Sequence, residues 1–251
     1  MAKVGISKRI ERRRKMIRRI RRMILLVGII FIFSTIIVGK YIKKQSISDD
    51  QLNVLKDETK SRNETIDVNN NLNNILLVNK DVGLEREYEP EDLEIVSVKS
   101  NKEILLRKEA NESLEEMFKD AKRDGLNLLA VSGYRTYEYQ ENVYINEVYT
   151  NGREYADKYV AKPGYSEHQT GLSVDILAAD YTNMDENFEN TKECEWLHEN
   201  MSKYGFILRY PKNKESITGY NYEPWHIRYV GTEHSLKIEE EGLTLEEYLG
   251  Q

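Results

Sequence analysis

Apolar and polar positions are arranged in three different ways along this chain. Residues 23–39, MILLVGIIFIFSTIIVG, carry no charge and are apolar all round. That pattern predicts one membrane-spanning helix near the short end of the usual length, since a buried core helix keeps a polar stripe. From 40 to about 72 the sequence is polar and without sustained periodicity, and it reads as a stem. Its sparse Leu52, Leu55, Ile66 and Val68 leave a short dimerising helix as the rival reading. The third stretch alternates short apolar runs with amphipathic ones. It opens with the β-prone run NILLV at 74–78, passes through a polar loop and reaches a strand near 95–98. Leu114, Met117, Phe118 and Ala121 then mark one face of a helix over 111–123, with Lys122 and Arg123 in its last turn and Gly125 as its stop. LNLLAVS at 126–132 reads as a buried strand, which Gly133 breaks. A Tyr-rich helix follows over 137–149, and another near 153–161 ends before Pro163. Residues 171–178 predict a second central strand, with Leu172, Val174 and Ile176 on one face and Ser173 and Asp175 on the other. Cys194, Leu197 and Met201 fall at helical spacing. Strands are expected over 205–210 and 222–230, where Trp225, Ile227 and Tyr229 alternate with His226 and Arg228 beyond Pro224. Helices that precede and separate strands predict an α+β class built on a small antiparallel sheet.

Charge sharpens this division. Residues 1–22 hold eleven Lys or Arg against Glu11 alone, while the other 229 residues carry 26 basic and 42 acidic groups, a balance of −16. A basic block abutting an apolar span predicts a cytoplasmic N-terminus with everything beyond Lys40 outside. Because the block adjoins the span, it does not read as a nucleic-acid patch. A cleaved signal peptide is the alternative, but Gly39, Lys40 and Tyr41 do not make a small-x-small cleavage site. The expected organisation is a basic tail at 1–22, an anchor at 23–39, a stem at 40–72 and one catalytic domain at 73–251, with 39% hydrophobic residues sufficing for one core. Cys194 is the single cysteine, so no intrachain disulfide forms. Its helical spacing suits a buried hydrophobe better than a nucleophile.

The candidate chemistry lies between Gly164 and Arg228, in GYSEHQTGLSVDI and EPWHIRY. Asp175 is an acid inside an otherwise apolar strand, and burying it uncompensated costs several kcal/mol, so it needs a metal or an arginine. Two imidazoles, His168 and His226, with that carboxylate can hold a zinc ion through three ligands and leave a fourth position open for water. Glu223, three residues before His226, is close enough to act as general base on that water. The plain alternative is an ordinary loop acid. His198, in a charged helical turn, and His234, in a polar tail, are left out of the metal.

Together SGYRTYEYQ, PGYSEHQTGLSVDI and GYNYEPWHIRYVG resemble the VanY-like D-alanyl-D-alanine carboxypeptidases, zinc peptidases of bacterial cell walls, over residues 73 to the C-terminus. The resemblance implies His168, Asp175 and His226 as ligands of Zn2+, Glu223 as base and Arg135 as the group that polarises the scissile carbonyl or steadies the oxyanion. It also implies that Gln140 and Ser166 hold the substrate's terminal carboxylate. Arg135 follows a strand and Gly133 directly, which favours its role at the carbonyl over a plain surface cation; Ser166 could instead cap the following turn, and Gln140 could be one more polar helix position. Ser173 stands where a small residue such as Ala is common in the family, a mild change. The expected function is that of a D,D-carboxypeptidase of the bacterial cell membrane, a single-pass protein that removes the terminal D-Ala from peptidoglycan stem pentapeptides. One alternative is an L,D-carboxypeptidase acting on tetrapeptides; another is a non-catalytic, metal-bound module that binds or senses peptidoglycan.

Overall fold

In this computed structural model residues 74–250 are described. The expected tail, span and stem lie outside the described residues, and no helix among those described is long and apolar enough to cross a membrane. A small hairpin comes first, β1 (Leu93–Ile95) pairing antiparallel with β2 (Leu105–Arg107). Helix α1 (Lys108–Arg123) follows without a break. It begins three residues earlier than the periodicity predicts because the Lys108 N–H donates to the Asp92 carbonyl at 2.9 Å, so no side-chain cap is needed. The expected apolar stripe is present: Ala110, Leu114, Met117 and Ala121 are fully buried.

Four strands form the main sheet in the order β3-β4-β6-β5: β3 (Leu128–Ser132), β4 (Ser173–Ala178), β5 (Phe206–Leu208) and β6 (His226–Tyr229). Every pairing is antiparallel, as the α+β reading expects. Between β3 and β4 come α2 (Tyr137–Asn151), α3 (Arg153–Tyr159) and a 3₁₀ turn, Glu167–Thr170. Beyond β4 lie α4 (Lys192–Asn200), α5 (Glu215–Thr218), α6 (Thr232–Glu241) and α7 (Leu245–Leu249). Leu172, Val174, Ile176 and Ile227 pack with α1 and with Cys194 and Leu197 of α4 into one core. A smaller cluster, with Leu77, Ile207, Val230, Ile238 and Leu245, seats the C-terminal helices.

One expected element is absent. NILLV at 74–78 is not a strand. Its apolar side chains are buried at Leu76, Leu77 and Val78, but its carbonyls turn to guanidinium groups. Arg228 donates to Leu76 O (2.7 Å) and Asn74 O (3.2 Å), and Arg209 to Val78 O (3.5 Å). With the carbonyls of Asn74, Leu76 and Val78 taken this way, guanidinium groups stand along one edge of the segment in place of a neighbouring strand.

Candidate metal centre and cleft

The register of β4 on β6 sets Asp175 directly opposite His226. Both side chains leave the sheet on the face opposite Val174 and Ile227, and His168 reaches them from the 3₁₀ turn. His226 Nδ1 lies 3.0 Å from Asp175 Oδ1 and His168 Nε2 3.3 Å from Asp175 Oδ2. The two rings meet edge to face, with centroids 4.9 Å apart. One ligand atom from each of the three residues lies within 4.8 Å of the others, and all three residues are buried. Two imidazoles and a carboxylate converging on one point are the donor set of a catalytic zinc site. The supporting contacts agree: His168 Nδ1 faces the Gly133 carbonyl at 2.8 Å, which leaves Nε2 free for a metal. Gly133 cannot be replaced there, since a Cβ would sit 2.4 Å from Ile104 Cγ2 and 2.6 Å from Leu105 O.

Glu223 enters on the turn before β6. Its N–H donates to Tyr210 O and its own carbonyl accepts from the His226 N–H, at 3.1 and 3.2 Å, so the base candidate and the ligand share one rigid turn. Glu223 Oε2 is 3.9 Å from His226 Nδ1. Burial pushes the Glu223 carboxyl up to about 7, with His226 and Arg135 opposing and Asp175 adding to the rise. Burial also works against ionised Asp175, yet His168 and His226 on either side hold its carboxyl well below the usual range. His168 is lowered to about 4 by burial and by Arg135 beside it. Burial opposes a charged His226, but its hydrogen bond to Asp175 and the Glu167 carboxylate facing its other nitrogen raise it to about 9. A metal arriving at this site therefore displaces a proton from His226.

Arg135 takes its position from a β-bulge in β3. The pairing slips between Ala130 and Ser132 and brings Ser132 opposite Asp175. Ser132 Oγ then accepts from Arg135 Nε (3.0 Å) and Nη2 (2.8 Å), while Nη2 also reaches Asp175 Oδ2 at 3.2 Å and Nη1 reaches Gln140 Oε1 at 3.3 Å. Gln140 is 1% exposed and donates to Ala161 O at 2.8 Å, so it is not an idle helix position. Ser166 is buried and does not cap the 3₁₀ turn that follows it. All seven residues singled out in the sequence, Arg135, Gln140, Ser166, His168, Asp175, Glu223 and His226, line one cleft of about 170 Å3, together with Tyr159, Met184, Tyr210, Tyr220 and Trp225. His234 bonds to Tyr248 instead, and His198 donates to or accepts from nothing in the metal group; its Nε2 lies 2.9 Å from Pro224 O.

Several contributors escaped the sequence reading. Ser132 appears only once the bulge is seen. Glu167, Arg209 and Arg228 form a fully buried ionic group behind His226. Arg228 carried the same signal as Asp175, a charge inside an apolar strand, while Glu167 and Arg209 lie in turns without a period to betray burial.

The model of the family described as "VanY: D-alanyl-D-alanine carboxypeptidase" matches residues 103–232. The chain belongs to this carboxypeptidase family. The putative carboxypeptidase YodJ of Bacillus subtilis (strain 168) is 47% identical over 187 residues, which cover 72% of this chain and 68% of that protein. Among solved structures, the LdcB LD-carboxypeptidase superposes with a TM-score of 0.69 at 47% identity, covering 74% of this chain and 89% of that one. The vancomycin-resistance D,D-pentapeptidase VanY, solved with Zn(II), gives a TM-score of 0.61 at 37% identity over 70% of this chain and 98% of that one. Zinc is the metal that the His168–Asp175–His226 donor set of this family member fits.

Proposed function

We propose that this carboxypeptidase removes a single C-terminal D-alanine from peptidoglycan stem peptides, with Glu223 as general base. The observation that carries the reading is a buried carboxyl raised to about 7 on the same turn as a metal-facing imidazole. A base tuned near neutral pH is matched to taking a proton from an attacking water. Bound zinc supplies a Lewis acid that lowers the pKa of a water and polarises the scissile carbonyl. Glu223 accepts the water proton as the C–O bond forms and returns it to the leaving amine as the C–N bond breaks, giving free D-alanine and a shortened peptide. Arg135, held by Ser132 and Asp175, sets a fixed positive charge where the tetrahedral oxyanion develops. Gln140 and Ser166 sit where they can receive the terminal carboxylate. A base beside the metal donors distinguishes this reading from a module that only binds peptidoglycan.

Pentapeptide and tetrapeptide stems both end in D-alanine. The pentapeptide reading follows from the D,D-pentapeptidase likeness; the tetrapeptide reading is favoured by the higher identity and TM-score with the LD-carboxypeptidase. Incubating the zinc-loaded chain with each purified stem peptide and weighing the products separates the two. Loss of one alanine from the tetrapeptide alone means L,D cleavage, and loss from the pentapeptide alone means D,D cleavage. Loss from neither by zinc-loaded protein refutes both. The proposal places the enzyme on the outer face of a bacterial membrane, tethered by residues 23–39, which carry no charge. Release of the full chain from membranes by alkaline carbonate without detergent refutes the tether.

A further inference from the structure

We propose that Glu167 is a positioning residue that fixes the tautomer and orientation of His226 for metal binding, with Arg209 and Arg228 holding the Glu167 carboxyl group in place. Its side chain and both guanidinium groups are 0% exposed. Glu167 Oε1 accepts from Arg209 Nε and from Arg228 Nη1, each at 2.7 Å. Arg209 also donates to Glu246 at 2.9 and 2.6 Å, so the group contains two cations and two anions and is balanced without any help from the histidine. Glu167 Oε2 turns away from the arginines. It accepts from Ser173 Oγ at 3.1 Å and faces His226 Nε2 at 3.6 Å.

His226 points Nδ1 toward Asp175, at 3.0 Å, where the three ligand atoms converge. A metal bound through Nδ1 leaves the ring hydrogen on Nε2. That nitrogen is buried and makes no hydrogen bond in the structure. A separation of 3.6 Å is longer than a hydrogen bond, so the pair is poised rather than closed, and the anion nearest the buried N–H is the one the arginines hold. The second nitrogen of a metal-bound histidine ordinarily donates to a carboxylate or carbonyl, which sets the tautomer and raises the ligand's basicity. For His168 the partner is the Gly133 carbonyl; Glu167 gives His226 a carboxylate. Through Arg209 and Arg228 the same carboxylate is anchored to α7 and to the carbonyls of 74–78, so the ends of the domain brace one ligand. A role confined to neutralising buried arginines is the competing explanation.

The inference rests on His226 as a metal ligand and holds whichever stem peptide is cut, because its readouts are zinc affinity and ring chemistry, not turnover. Glu167→Asp keeps the charge beside the arginines but withdraws it from His226. Competition with a chelator should show zinc affinity lowered about 10- to 100-fold, and Glu167→Gln should lower it as well. In zinc-loaded wild-type protein with labelled histidines, nitrogen NMR should find the His226 hydrogen on Nε2, slow to exchange with water, and Glu167→Asp should speed that exchange. Folded variants with zinc affinity within about twofold of wild type overturn the proposal and leave the structural explanation. A His226 bound through Nε2, or an Nε2 hydrogen that exchanges like a free imidazole's, overturns it even if neither variant folds.

Discussion

Replacing Glu223 by Gln in the zinc-free protein should raise its stability, and the gain should grow with pH. Glu223 is 8% exposed, and the pKa of its carboxyl is raised from 4.5 to about 7 by burial. A carboxyl so shifted stays protonated in the fold at pH values where the unfolded chain has already released its proton. The folded state therefore binds more protons between 4.5 and about 7, and stability falls as pH climbs through that window. At about 1.4 kcal/mol per unit, the whole shift is worth about 3 kcal/mol, of which about 1 is already lost near pH 5 and nearly all by pH 8. Glutamine has the same shape and no proton to lose, so it escapes the penalty. Urea unfolding of chelated wild type and variant at several pH values reads the difference. A variant less stable than wild type at every pH, or a gap that does not widen from about pH 5 to 8, refutes the claim that Glu223 is a desolvated, near-neutral carboxyl. The zinc-loaded variant supplies the complementary result. It should keep its metal and lose about 10²- to 10⁴-fold in turnover, the usual contribution of a general base.

The other expectations concern neighbouring groups. Arg135→Lys preserves a charge but cannot reproduce the paired contacts to Ser132 or the reach to Gln140; turnover should fall about 10²- to 10³-fold with zinc content unchanged, and wild-type turnover would count against an oriented cation. Cys194 is 1% exposed and burial pushes its thiol up to about 12, so a thiol reagent at neutral pH should find none in the native protein and one after denaturation; rapid native labelling refutes this. His198→Ala removes the contact to the Pro224 carbonyl and should cost about 1–3 kcal/mol in urea unfolding, with turnover reduced more than zinc affinity because Pro224 follows Glu223. Zinc at about a hundred times its dissociation constant should stabilise the protein by about 2.7 kcal/mol in calorimetry, and an unchanged melting temperature would show that the His–Asp–His group holds no ion.

Most of the site was legible because its ligands sit in segments whose period is strong. Asp175 and His226 fall on the polar phase of two alternating strands, and that alternation survives in the fold, with Val174 and Ile227 in the core and the ligands opposite. The helix α1 was equally plain, since Leu114, Met117 and Ala121 repeat at helical spacing. What could not be read depends on long-range partners. NILLV has every local mark of a strand, yet its carbonyls are taken by arginines some 130 to 150 positions away. The bulge that turns Ser132 toward Arg135 has no glycine of its own to announce it, and LLR at 105–107 is too short to show a period. Glu167 carries no local mark of burial, because the two arginines that enclose it arrive from different parts of the chain.

The pairing of β4 with β6 ties the chemistry to the core in a way that single-residue reasoning obscures. Asp175 opposes His226, Ser173 opposes Arg228, and between them Val174 opposes Ile227. Strand side chains alternate with period two, so a slip of one residue would put Val174 and Ile227 in the cleft and send the ligands and Arg228 into the apolar core. The apolar contacts that forbid this slip, Val174, Ile176 and Ile227 each at 0% exposure, are thus also what brings the two strand-borne ligands together. Behind the metal-facing pair, the next rung holds Ser173 and Arg228, both bonded to Glu167. Core face, ligand pair and ionic brace are successive consequences of one register. A polar substitution at Ile227 should therefore lower zinc affinity although Ile227 touches no ligand atom, and it should do so together with cooperative loss of the fold. Weakened zinc binding in a variant whose unfolding transition is unchanged would break the link between register and site.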